Sequence, residues 1–130
     1  MEQIPTLAVG DFMLISLRED MSDTQVMNLQ DELAKQVILI RPKGVLLDIS
    51  CLEMVDSFLG RTLSDIAKIV QILGAEVVVV GMQPTVAITT VELGIKLGGV
   101  LTALNVNSGM EMLRMKTMSS TSLAAASGRS

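Results

Sequence analysis

The hydroxyl of Ser57 is the group in this chain best placed for chemistry. It lies in the run Val45-Leu46-Leu47-Asp48-Ile49-Ser50-Cys51-Leu52-Glu53-Met54-Val55-Asp56-Ser57-Phe58, where an apolar strand gives way to an acidic loop and a helix then begins at Asp56-Ser57. Asp and Ser are favoured N-cap residues, and capping alone would explain both. For a hydroxyl the position has a second meaning. The unpaired N–H groups of a first helical turn and the helix dipole favour negative charge. A phosphate on Ser57 would be accommodated locally while changing the charge of the surrounding surface. On position alone capping is the first reading of Ser57 and a phosphoacceptor the second. Glu53, Asp56 and Phe58 are the partner-contacting residues around it, although solvated surface is the simpler reading of the two acids. Thr89 and Thr90 are further hydroxyls that the sequence neither selects nor removes as second acceptors.

Other chemistries are thinly represented. The chain contains no histidine. That removes Ser-His and Cys-His nucleophile pairs, imidazole bases and histidine metal sites together. No Gly-rich phosphate loop of either standard form is present. Asp48 ends its strand as the phosphorylated aspartate of a response-regulator receiver does. That chemistry needs an acidic pair to hold Mg²⁺ and a lysine after the last strand. Asp11 stands alone, the stretch 100–106 has no lysine, and Gly81-Met82 lacks the receiver's Ser or Thr. Asp48 is instead read as a strand-end residue bonded to loop amides. No enzyme, cofactor or metal is expected; a switched protein is.

The 130 residues suit one domain, and 49% are apolar, enough for an ordinary core. No apolar run reaches the ~18 residues of a membrane helix, and no signal peptide is visible. A net charge of −4 disfavours a nucleic-acid partner, and the absence of Trp and Tyr disfavours base stacking. The single Cys51 fits a reducing cytoplasm. The ten methionines are expected mainly as core filler, with a Met-rich adaptable surface as the alternative.

The elements that must position Ser57 follow from periodicity. Ile4–Val9 and Phe12–Leu17 flank Gly10-Asp11, a hairpin signal. Ser22 and Gln25 form a capping box before a stripe at Val26, Leu29, Leu33, Val37 and Ile40. Pro42 ends that helix. Val45–Ile49 and Glu76–Gly81 are central strands. Between them lies a helix with Leu59, Leu63, Ile66, Val70 and Leu73 inward, closed by Gly74. Pro84 opens a β-branched helix over Thr85–Leu97 ended by Gly98-Gly99, with the Gly94–Gly98 spacing assigned to helix-end packing. Val100–Leu104 is a strand, and Ser108–Met115 a short helix capped by Ser108. Residues 117–130 are a flexible tail, leaving 1–116 as the single domain. The fold class is α/β: a mixed, mostly parallel sheet with about four helices and right-handed crossovers.

This order, with Asp56-Ser57 opening the second helix, resembles the STAS domain family. The stretches Met54–Phe58, Gly81–Thr89 and Val91–Ile95 are similar to its RsbS-like stressosome branch. Phe58-Leu59, where free-standing anti-sigma factor antagonists have small residues, favours that branch. The resemblance covers about residues 4–115. It implies a non-catalytic cytoplasmic bacterial scaffold in a homo- and hetero-oligomer with a sensor-bearing, RsbR-like STAS paralogue. It further implies sequestration of an RsbT-like serine/threonine switch kinase, released when a serine matching Ser57 is phosphorylated, and an RsbX-like phosphatase that resets the state. The alternatives are a direct anti-anti-sigma factor that binds an anti-sigma kinase, and a nucleotide-binding STAS module.

Overall fold

The computed structural model describes residues 6–18, 21–94 and 100–127, with side chains as far as Met118. Five strands and four helices follow in the order β1 (Thr6–Val9), β2 (Phe12–Ser16), α1 (Asp23–Ile40), β3 (Gly44–Asp48), α2 (Ser57–Ile72), β4 (Glu76–Val80), α3 (Pro84–Glu92), β5 (Leu101–Ala103) and α4 (Val106–Ser127). The sheet has the order β1-β2-β3-β4-β5. The two-residue turn Gly10-Asp11 makes β1 and β2 antiparallel with Val9 opposite Phe12. All other pairs are parallel, so the sheet is mixed with a parallel majority.

Strands that add in sequence order, joined by crossovers of one hand, must place every crossover helix on the same face. The core shows that arrangement. Met13, Ile15, Val45, Leu47, Val77 and Val79 meet Leu29, Leu33 and Val37 of α1, Leu63, Ile66 and Val70 of α2, and Val86 of α3. The alternate strand residues Phe12, Leu46, Val78 and Val80 face the other way and meet Leu113 of α4. Period-2 alternation thus splits the apolar strands between two cores, and β3 and β4 are buried on both faces. No described helix is long and apolar enough to cross a membrane.

Most element starts obey the local chemistry read from sequence. Ser22 accepts from the Gln25 amide at 3.2 Å and donates its own N–H to the Gln25 side chain at 2.7 Å, a complete capping box. Arg41, before Pro42, takes left-handed angles and terminates α1.

Several boundaries differ from expectation. Helix α3 stops at Glu92, because Gly94 takes a left-handed conformation. The expected residues 95–97 and Gly98-Gly99 lie outside the described residues. Helix α4 starts at Val106, and Asn105 rather than Ser108 caps it, accepting from the Ser108 amide at 2.8 Å. It also continues past Met115 to Ser127, through most of the stretch read as a tail, since no Gly or Pro interrupts 110–127. Ile40 and Leu73, expected inward, are exposed; one is the last residue of α1 and the other the residue that follows α2. The methionines are not mainly core filler. Met13 is buried, whereas Met27, Met54, Met112, Met115 and Met118 are exposed.

Candidate functional site

The stretch 49–56 links β3 to α2 with little regular structure, yet its side chains divide sharply. Ile49, Leu52 and Val55 are buried, while Ser50, Cys51, Glu53, Met54 and Asp56 are exposed. The apolar three pin the loop to the core, and the remainder is displayed. Asp48 accepts from the Ser50 amide at 2.9 Å, the strand-end role expected of it. The Leu52 amide donates to the Ile49 carbonyl at 3.0 Å, which tightens the turn.

Asp56 is the N-cap of α2, and its carboxylate accepts from the Leu59 amide at 2.8 Å. Ser57 is therefore the first helical residue, one position inside the cap. This frees its hydroxyl, because the capping bond is already made by its neighbour. Ser57 is exposed, and its side chain has no hydrogen bond among the described residues. Phe58 follows at 38% exposure, and Met54 stands on the loop crown at 77%. Glu53, Asp56, Ser57 and Phe58 are thus all exposed within one short stretch of chain, and neither acid forms an ion pair among the described residues. Replacing Asp56 with Ala should cost about 1 kcal/mol through loss of the cap. A denaturation midpoint that does not move in Asp56→Ala would contradict that role.

The second wall of the site is the β4–α3 connection. Gly81 has φ +77, and a Cβ there would stand 2.8 Å from the Ser50 Cβ and 3.1 Å from Asp48 Oδ1. Both the backbone angle and the space require glycine. Gln83 then donates from its side-chain amide to the Ser50 carbonyl at 2.8 Å, and the Thr85 hydroxyl donates to the Glu53 carbonyl at 3.2 Å. These contacts join segments more than thirty residues apart, and sequence reasoning missed them. The only signal was the polar content of Gly81–Thr85.

Thr89 and Thr90 are partly buried on α3, and their hydroxyls donate back to the carbonyls of Thr85 and Val86 at 2.9 and 2.8 Å. Their oxygens are engaged where that of Ser57 is open. Arg61 was also missed. It is exposed one turn beyond Ser57 on the same helix face, with no ion pair among the described residues. The described residues include no group of three or more acidic or Cys side chains able to hold a metal ion.

The STAS domain family model matches residues 3–109, most of the chain. The chain belongs to the STAS domain family. A STAS structure of RsbS from Moorella thermoacetica, in a serine-to-glutamate variant, is 34% identical with a TM-score of 0.80, over 90% of this chain and 99% of that one. A structure titled for the molecular architecture of the stressosome, a signal integration and transduction hub, is 37% identical with a TM-score of 0.79, over 87% of this chain and 98% of that one. The RsbT co-antagonist protein RsbRA of Bacillus subtilis (strain 168) is 29% identical over 83 residues, which are 64% of this chain but 30% of that protein. This STAS chain therefore spans under a third of its curated relative. It resembles RsbS and stressosome components along nearly its whole length.

Proposed function

We propose that this chain is a non-catalytic stressosome subunit that holds an RsbT-like serine/threonine switch kinase and releases it when Ser57 is phosphorylated. The observation that carries the reading is the exposed, unbonded Ser57 hydroxyl one residue inside a helix already capped by Asp56. Whole-length similarity to RsbS supports the assembly, and the name of the RsbRA relative supports an RsbT-like partner. An RsbR-like STAS paralogue completes the particle in the cytoplasm, and an RsbX-like phosphatase resets it.

The electrostatics support release without unfolding. Phosphorylation adds about −1.5 to −2 charges at neutral pH. The open N–H groups at the start of α2 and the Arg61 guanidinium offset part of that charge on the domain itself. A partner packed over Glu53, Asp56 and Phe58 must bury the remainder unpaired or meet it with like charge, and either weakens docking. Thr89 and Thr90 come second as acceptors, since each must first give up its bond to a helix carbonyl. The domain is assigned to residues 1–116, with α4 continuing beyond that boundary to Ser127.

Incubation with the kinase and ATP followed by mass spectrometry should place one phosphate on Ser57, and Ser57→Ala should abolish it. Phosphate on Thr89 or Thr90 with Ser57 untouched would contradict the assignment. Sedimentation with the paralogue should give one particle of very large mass; two small independent species would refute the scaffold role.

A further inference from the structure

We propose that Gln83 is a positioning residue for this switch, holding the β3–α2 loop in the form the kinase recognises. The proposal rests on the reading of Ser57 as the phosphoacceptor.

The backbone of Ser50 is gripped from two sides. Its N–H donates to Asp48 Oδ1 at 2.9 Å, and its carbonyl accepts from Gln83 Nε2 at 2.8 Å. The Asp48 bond is local, two residues away, and ties the loop only to the end of its own strand. The Gln83 bond crosses 33 residues and refers the loop to the end of β4. Gly81 supplies the base for it, since the β4–α3 turn approaches Ser50 too closely for any Cβ.

The side chain of Gln83 is also conspicuous for what it does not do. Gln83 occupies the N-cap position of α3 yet makes no capping hydrogen bond. Glutamine is absent from the favoured caps, where Ser, Thr, Asp and Asn lead. Thr85, in the first turn of α3, likewise gives its hydroxyl to the Glu53 carbonyl. Two side chains at the start of α3 thus serve the loop instead of their own helix. That helix buries Val86 alone and shows Ile88 and Val91 to solvent, so its start is not fixed to improve its own packing. The segment those bonds hold carries Glu53 and Met54 and leads into Asp56-Ser57.

The Ser50 carbonyl lies at an exposed position where water can replace the amide, so loss of Gln83 should spare the fold. Its effect falls on the fraction of time the loop spends in register. A partner that binds one loop form loses apparent affinity in proportion to that fraction, while turnover of the bound form is unchanged. The test uses Gln83→Met, of equal length without a donor, and Gln83→Glu, of equal shape without a donor when ionised.

In the free protein, exchange of the Ser50 and Leu52 amides should accelerate roughly tenfold in both variants, with the global unfolding midpoint retained. With the kinase, KM for Ser57 phosphorylation should rise about tenfold and kcat should stay within about twofold. A purely structural residue would lower the midpoint without the loop-specific exchange or the KM shift. Wild-type exchange at Ser50 and Leu52 in both variants, or an unchanged KM, overturns the proposal. If the wild-type chain takes no phosphate on Ser57, the reading of Ser57 fails, and loop exchange still decides whether Gln83 holds the loop. Should one substitution prevent folding, the other carries the test.

Discussion

Ser57→Asp should fold with a thermal midpoint near that of the parent chain and bind the switch kinase roughly a hundredfold more weakly, whereas Ser57→Ala should bind it like the parent. The first half follows from position. Ser57 is the first residue of α2, its hydroxyl is exposed, and no hydrogen bond to a described residue is lost when it is replaced. A carboxylate there meets the positive end of the helix dipole, which contributes about 0.3–1 kcal/mol in its favour. The second half follows from what surrounds it. Glu53 and Asp56 already make the displayed surface acidic, and a docked partner would face a third negative group beside the half-exposed Phe58 ring. Like charge or an unpaired buried charge across an interface costs several kcal/mol, and about 3 kcal/mol suffices for a hundredfold loss. Surface plasmon resonance on the three proteins separates the cases. Equal affinities for the Asp and Ala variants would show that charge at this position does not control docking.

Leu113→Ala should destabilise the chain by about 3 kcal/mol, lowering the thermal midpoint by roughly 10 °C. Leu113 is fully buried and is the α4 residue at the centre of the second core, against Phe12, Leu46, Val78 and Val80. The helix lies close to the sheet there. A Cβ at Gly109 would stand 2.5 Å from Val80 Cγ1 and 2.7 Å from Leu46 Cδ2, and one at Gly44 only 2.8 Å from Leu113 Cδ2. Truncating Leu113 leaves a cavity that so tight a contact cannot close by a small shift. Because α1, α2 and α3 pack on the opposite face, the damage should concentrate on α4 and spare the Ser57 surface. Calorimetric unfolding reads the shift, and a change below about 1 kcal/mol would mean that α4 is not part of the cooperative domain.

The sequence displayed the sheet well because its strongest signals were local. Gly10-Asp11 between β-rich runs, Ser22 with Gln25, and four consecutive valines in β4 each determine an element within a few residues. The signals failed where a competing local choice existed. Ser108 and Asn105 are both good caps, and Asn105 prevailed because the Ser108 amide reaches its side chain. Gly98-Gly99 was the expected end of α3, and Gly94, read only as part of a packing pattern, takes the left-handed conformation before it. The methionines could not be placed because their hydrophobicity suits a core and their flexibility suits a surface. Only packing decides, and it left Met54 and most of those on α4 outside.

The site was legible in part. Ser57 and its acidic neighbours could be singled out because cap chemistry is local. The exact division of labour could not, since either Asp56 or Ser57 could have capped α2. Gln83 and Thr85 were invisible as loop supports, because a bond across 33 residues leaves no periodicity in the chain. Arg61 was indistinguishable from any exposed charge until its place one turn beyond Ser57, without an ion-pair partner, was seen.

The most direct measurement is a calorimetric titration of the kinase into the chain carrying stoichiometric phosphate on Ser57, beside the unmodified chain, with thermal unfolding recorded for both. The expected result is an unfolding midpoint that barely moves and an affinity that falls by about two orders of magnitude. Undiminished affinity of the phosphorylated chain, or affinity lost only together with the fold, would contradict a switch seated at Ser57.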